Sequence, residues 1–364
     1  MMPWPRWQNL KSRTGEELRH LLAINPSNRL WQMPFAAALA SGLPLLIGAY
    51  FGHMEYGLIS SLGGMVFLYL PATQLSHRMV WLMACGFGMS ACYAFGVMSH
   101  FFPALMMWVL TFIAVLVTMV CRFYAVGPPG SLFFVLPTAI GAYTPGVLLD
   151  VPLKVGLFAM GSLLACLIAF FYSLYTLRLQ PPTPAKPLTP PSFDYVIVDS
   201  VVIGAFVGIS LALAQVLQLE RPYWVPVSCI AVIQGMSLRA VWTKQAHRIV
   251  GTGIGLLLAW AILMLPLDNW RVALIMMVLA FVIENTVVRH YGLAVIFITP
   301  LTILLAEAAT LGQGSTAELV HSRLFDTILG CLVGLAGGVC LHRPRIRAMV
   351  SAWLRRLTPS RLLR

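Results

Sequence analysis

Long apolar runs recur along almost the whole chain, and most of its charge sits in the short stretches between them. A hydrocarbon layer about 30 Å thick demands such runs, about 20 residues each, because backbone polar groups find no water there and must bond within the segment. Composition agrees. Residues of the set AVILMFWYC make up 59% of the 364, and charged residues only 10%, against about 25% in soluble domains. So little polar side chain could not coat a soluble surface. That excludes an ordinary soluble enzyme, a disordered chain and a small disulfide scaffold. The pattern predicts an all-α integral membrane protein.

Hydropathy places helices over 33–51, 56–72, 79–98, 102–121, 130–149 and 153–177, then over 195–217, 222–236, 247–266, 270–288, 291–309 and 320–341. Between the two sets, residues 179–193 hold Pro181, Pro182, Pro184, Pro187, Pro190 and Pro191, which makes a stiff, extended linker. The chain divides into an N-terminal cytoplasmic segment (1–32), a first six-helix membrane repeat (33–178), the Pro-rich cytoplasmic linker (179–193), a second six-helix repeat (194–342) and a tail (343–364). In the tail, Ile346, Val350, Trp353, Leu354 and Leu357 recur at helical spacing among Arg345, Arg347, Arg355 and Arg356. That predicts a basic amphipathic helix lying on the anionic cytoplasmic leaflet.

Charge supplies the orientation. The net charge is +12. With the N-terminus cytoplasmic, all Lys and Arg except Lys154, Arg221, Arg271 and Arg323 fall on the inner side. This bias supports about twelve transmembrane helices with cytoplasmic N- and C-termini, and it accounts for the basic residues without nucleic acid as a partner. Arg6, Lys11, Arg13, Glu16, Glu17, Arg19 and Arg29 leave no apolar core for a cleavable signal, so insertion is expected to begin with the first membrane helix. The seven cysteines lie in or beside apolar runs and form no CxxC pair. They read as packing residues rather than a disulfide frame or metal site.

The two halves look alike. Ser76-His77-Arg78-Met79-Val80 parallels Ala246-His247-Arg248-Ile249-Val250, each after a short helix that follows an acidic, aromatic turn (Glu55-Tyr56; Glu220 to Trp224). Pro137 and Pro300 take similar places in the fifth and eleventh helices. Six helices per half make both copies point the same way, as two parallel six-helix repeats.

Pro222-Tyr223-Trp224-Val225-Pro226, Ile233-Gln234-Gly235 and Arg248-Ile249-Val250-Gly251-Thr252-Gly253-Ile254-Gly255 resemble the signature of the fusaric acid resistance and aromatic acid exporter family. Arg323-Leu324-Phe325-Asp326-Thr327-Ile328-Leu329-Gly330 resembles that family's last-helix pattern. The resemblance covers roughly 195–341. The first half keeps His77-Arg78 but has Met83-Ala84-Cys85-Gly86 where a Gly-Thr-x-x-Gly pattern would stand. The resemblance implies efflux of aromatic or other organic acids across a bacterial inner (plasma) membrane, in some members with a periplasmic adaptor protein. Full-length exporters carry a large cytosolic domain, for which the linker has no room. Plant malate channels resemble the architecture more distantly, which keeps a passive anion channel open.

Polar groups inside hydrocarbon are costly, so each is a candidate for function. Arg323 and Asp326, at i and i+3, share a helix face. They form an intrahelical ion pair, or Arg323 attracts a substrate carboxylate while Asp326 orients it or takes a proton. Asp199 is a coupling carboxylate or is held by a nearby Arg. Arg248 heads the ninth helix and Arg78 the third; each snorkels to the interface or cations the inner mouth. Tyr223 and Trp224 stack on an aromatic substrate or join the interfacial belt. Gln234 lines a central site beside the short helix that Pro226 interrupts. Glu284 and Glu307 read as interfacial. Gly251 with Gly255, and Gly330 with Gly334, fit close helix packing rather than a phosphate loop, since no strand precedes them.

No metal-spaced cluster, nucleophile elbow or cofactor motif is seen, so no enzyme activity, metal or cofactor is expected. The expected function is efflux of small aromatic or carboxylated anions driven by the proton gradient. A passive channel of the malate type and a membrane scaffold without transport are the alternatives. The lipid bilayer and the anions are the expected partners; an adaptor and a homo-oligomer stay open.

Overall fold

The computed structural model describes residues 23–27, 29–185, 192–307 and 316–357, and every regular element among them is helical. In chain order these are α1 (Gln32–Phe51), α2 (Met54–Gly64, continued by a 3₁₀ turn, Met65–Tyr69), α3 (Leu75–Ser99), α4 (Pro103–Phe123), α5 (Leu132–Ala142), α6 (Val151–Leu179), α7 (Asp199–Val216, entered through a π turn, Asp194–Val198), α8 (Trp224–Ile233), α9 (Leu238–Leu263), α10 (Asn269–Thr286), α11 (Tyr291–Glu307), α12 (Thr316–His342) and α13 (Pro344–Leu357). Among the described residues, eight helices are long and apolar enough to cross a membrane: α1, α3, α4, α6, α7, α9, α10 and α12. The apolar helices α5, α8 and α11 are shorter.

Helix boundaries follow local chemistry, and some differ from the hydropathy reading. Gly52 adopts φ 75° and closes α1. Helix α5 stops at Ala142, short of 149, because Pro145 lacks a backbone donor and Gly146 turns to φ 152°. Helix α9 starts at Leu238, nine residues before the expected 247. Ser237 caps it by accepting from the Ala240 N–H at 3.1 Å. Hydropathy hid this start, because Arg239, Lys244 and Gln245 sit within it. Arg248 therefore does not head its helix. It lies ten residues past Leu238, ~15 Å along the axis, whereas Arg78 stays in the first turn of α3. The matching His-Arg pairs thus sit at different positions along their helices.

Helix partners recur by position. In the first half α1 packs on α2 and α6, α3 on α5 and α6, and α2 on α6. In the second, α7 packs on α8 and α12, α9 on α11 and α12, and α8 on α12. Across the halves α4 packs on α7 and α10 on α1. The closest approaches use glycine. Gly251 and Gly255 face α11, where a Cβ on Gly255 would come within 2.6 Å of the Ile296 carbonyl oxygen. Gly330 and Gly334 lie against Val225 and Cys229 of α8. One apolar core runs through both halves, while Phe87, Trp108, Phe112, Val250 and Leu257 point outward, as lipid allows.

The tail forms α13, which lies against the start of α7. Arg347 pairs with Asp199 at 3.2 Å, and Arg355 and Ser351 both reach Asp194. Met349 and Trp353 stay exposed. Arg6, Lys11, Arg13, Arg19, Lys186, Arg361 and Arg364, which entered the charge reading, lie outside the described residues, as does the Glu307 side chain.

Candidate functional site

Helices α5 and α8 are 11 and 10 residues long, a rise of only ~15 Å, about half a hydrocarbon core. Their ends meet across the two halves. Gln234, just past α8, donates through Nε2 to Oγ of Ser131, just before α5, at 2.8 Å. Ser131 also bonds Thr118 of α4 at 2.9 Å. Beside these stopped helices lies a cavity of about 660 Å³, walled by both halves, within the range of small-molecule pockets.

The cavity opens where α1 and α7 begin, with exposed Pro128 and Met236 on its rim. Among the described residues its walls carry Arg29, Arg122, Lys244 and Arg248 against a single carboxylate, Glu284. The positive end of α5 and the negative end of α8 both face it. Those partial charges oppose each other, so the side chains set the field.

The cations differ in what balances them. Arg29 pairs with Glu284 at 3.0 Å, and Arg122 with Asp199 at 2.7 Å. Both pairs join an Arg from before the linker to an acid from after it. Arg248 has neutral partners only: Nη1 donates to the Tyr291 hydroxyl at 3.2 Å and Nη2 to Ser228 Oγ at 3.3 Å, while Nε has no acceptor among the described residues. It is 6% exposed. A buried cation without a carboxylate is costly, and an anion in the cavity would relieve that cost.

Away from Pro128 and Met236 the cavity is lined by buried residues such as Trp224. Thr302 lines it eleven residues along α11 from the rim residue Tyr291, and Trp224 lines it from α8. Behind them sits Arg323, with Cζ 3.5 Å from the centroid of the Trp224 ring and Nη2 donating to Thr302 Oγ1 at 3.0 Å. Tyr143 of the first half meets Tyr223 of the second with ring centroids 5.9 Å apart, and Gln215 donates to the Tyr143 hydroxyl at 2.9 Å.

The structure thus brings Arg248, Trp224 and Gln234 to the cavity wall and sets Arg323 one layer behind it. Tyr223 packs among aromatic rings instead of facing the cavity. Arg323 and Asp326 make no ion pair with each other; both Asp326 oxygens are buried without a donor among the described residues. Asp199 is held between Arg122 and Arg347. Arg78 stands apart: Nε donates to the Thr73 carbonyl at 2.7 Å, and Nη1 lies near the hydroxyls of Ser173 and Thr176. Sequence reasoning passed over Arg29, Arg122, Lys244, Thr302 and Tyr291, and read Glu284 as interfacial. The basic ones were visible only as topology markers, since no local pattern tells a snorkelling Arg from one facing a cavity.

Residues 202–337 match the family described as fusaric acid resistance protein-like. This fusaric-acid-resistance-like stretch contains Trp224, Gln234, Arg248, Thr302, Arg323 and Asp326. YvaC, an uncharacterized membrane protein of Bacillus subtilis (strain 168), is 33% identical over 123 residues, which is 34% of this chain and 19% of YvaC. YhfK, an uncharacterized protein of Escherichia coli (strain K12), is 23% identical over 139 residues, 38% of this chain and 19% of YhfK. The matched stretches thus span about a fifth of each of these relatives. No solved structure matches the chain. The family match and the apolar helices together make it a membrane protein with several crossings.

Proposed function

We propose that this chain carries small organic anions, aromatic or carboxylated, outward across a bacterial inner membrane through the cavity between its halves. The observation that carries the proposal is Arg248, a buried cation on the cavity wall whose partners are all neutral. A substrate carboxylate supplies the missing charge, and the mixed apolar and basic wall suits an aromatic body with an anionic end. The family match over 202–337 supports transport. The recurring helix partners support twelve membrane helices as two parallel six-helix repeats, with the basic termini and linker cytoplasmic. In that orientation the cavity opens inward, and Trp224 with Arg323 closes the outer side. Buried Asp326 and Glu284 are the carboxylates available to couple export to the proton gradient. A periplasmic adaptor and a homo-oligomer belong to the same reading as partners.

The test is accumulation of radiolabelled benzoate, 4-hydroxybenzoate and malate in bacteria lacking this protein, with wild type or Arg248→Gln restored at matched level. Expected is lower accumulation with wild type, loss of that effect in Arg248→Gln, and loss again with a protonophore. An effect that survives the protonophore favours a passive channel. No effect for any of the anions overturns the transport reading and leaves the scaffold.

A further inference from the structure

We infer that Arg323 is a second carboxylate-binding position, masked in this state by Trp224, to which an organic anion passes from the cavity when the indole swings aside. The inference rests on the transport reading above and adds a step to it.

The geometry is specific. Trp224 and Thr302 line the cavity on one face and hold the Arg323 guanidinium on the other. A single layer of side chains therefore separates Arg323 from the cavity. Arg323 is 4% exposed, and only one of its three guanidinium nitrogens has an acceptor: Nε and Nη1 meet none among the described residues. Buried donors are nearly always satisfied, so two on one guanidinium call for an explanation. Asp326, one turn along the same helix, does not fill the role, for both its oxygens are themselves without donors.

Nε and Nη1 each share an edge of the planar fork with Nη2, which keeps a second hydrogen besides the one given to Thr302, and such an edge grips a carboxylate through two parallel hydrogen bonds. What holds the fork now is the face of the indole, a contact that attracts a desolvated cation strongly. Indole and carboxylate thus compete for one cation. Packing alone does not require the stack, since α12 is already locked to α8 through Gly330 and Gly334. Asp326 sets a carboxyl group beside the masked position, and its ionised form favours release of an anion after it arrives.

Competition gives a signature that a structural arginine would not: removing the indole should strengthen anion binding. The experiment measures equilibrium binding of radiolabelled benzoate to the purified full chain in lipid nanodiscs, with benzamide as the neutral analogue. Trp224→Ala should bind benzoate about tenfold more tightly than wild type, with no gain for benzamide. Trp224→Ala combined with Arg323→Gln should lose the gain. If that double variant does not fold, the rings decide. Trp224→Leu, which keeps apolar bulk without a π face, should gain more than Trp224→Phe. A gain shared by benzamide, a gain that persists without Arg323, or no gain in either Trp224→Ala or Trp224→Leu overturns the inference. The parent reading fails separately, if Arg248→Gln leaves wild-type benzoate binding unchanged.

Discussion

The two halves of the molecule pair their helices alike and treat buried charge differently. Among the described residues the first half buries one charged side chain, Arg78, whereas the second buries Asp199, Arg248, Glu284, Arg323 and Asp326. Nε and Nη1 of Arg78 find oxygens on their own half, in Thr73, Ser173 and Thr176. The second half leaves Nε of Arg248, two nitrogens of Arg323 and both oxygens of Asp326 without partners among the described residues. A satisfied buried charge rigidifies; an unsatisfied one awaits a ligand or a rearrangement. One frame therefore holds buried charge in two ways, answered within the first half and partly unanswered in the second, where the proposed function places the anion. The halves meet through complementary charge, as Arg29 and Arg122 reach Glu284 and Asp199.

The largest expected effect breaks or keeps this contrast directly. Arg248→Gln should lower benzoate export by about 100-fold per folded molecule, the scale of losing one desolvated charge partner. Arg78→Gln should lower the thermal midpoint in detergent and leave export per folded molecule alone. Equal losses of export in both variants would dissolve the distinction between the halves.

Next are the close helix contacts, where the halves should behave the same. A Cβ on Gly96 would run into the Thr138 carbonyl of α5, as one on Gly255 would meet that of Ile296 in α11. Overpacking costs about 1–3 kcal/mol, occasionally more. Gly96→Leu and Gly255→Leu should both sharply reduce the yield of monodisperse protein on size exclusion. A tolerant Gly96 would mean that the first half packs more loosely than its partner.

The seam between the halves gives a smaller effect. Asp199→Asn removes the carboxylate shared by Arg122 and Arg347 and should cost about 1–3 kcal/mol of stability, the price of stranding a charged hydrogen-bond partner, seen as a lower melting temperature. Smallest is the tail. Arg355 and Asp194 are both more than a third exposed, where ion pairs contribute only about 0.2–1 kcal/mol. Asp194→Asn should speed proteolytic removal of α13 modestly, and added salt should erase the difference from wild type.

Hydropathy located nearly every helix because it is a property of a local window: the solvent is hydrocarbon, and each segment must satisfy its own backbone. It failed where a helix carries charge into the bundle, as in the first turns of α9, and where a spanning helix is cut short, as at Pro145 and Gly146. The site was legible in part. Arg248, Trp224, Gln234 and Arg323 stood out as polar or aromatic groups in apolar runs, while Arg29 and Arg122 looked like any basic residue at a membrane edge.

By itself, then, the sequence determined the solvent this protein lives in, the order of its helices and where along the chain positive charge gathers. These follow from composition and from charges a few residues from each helix end. Only the tertiary structure decided which buried charges are answered. Arg29 and Glu284 are 255 residues apart, and Arg323 lies about a hundred residues from the Trp224 that covers it. Such pairings depend on how helices pack, and no local window of the chain contains both partners.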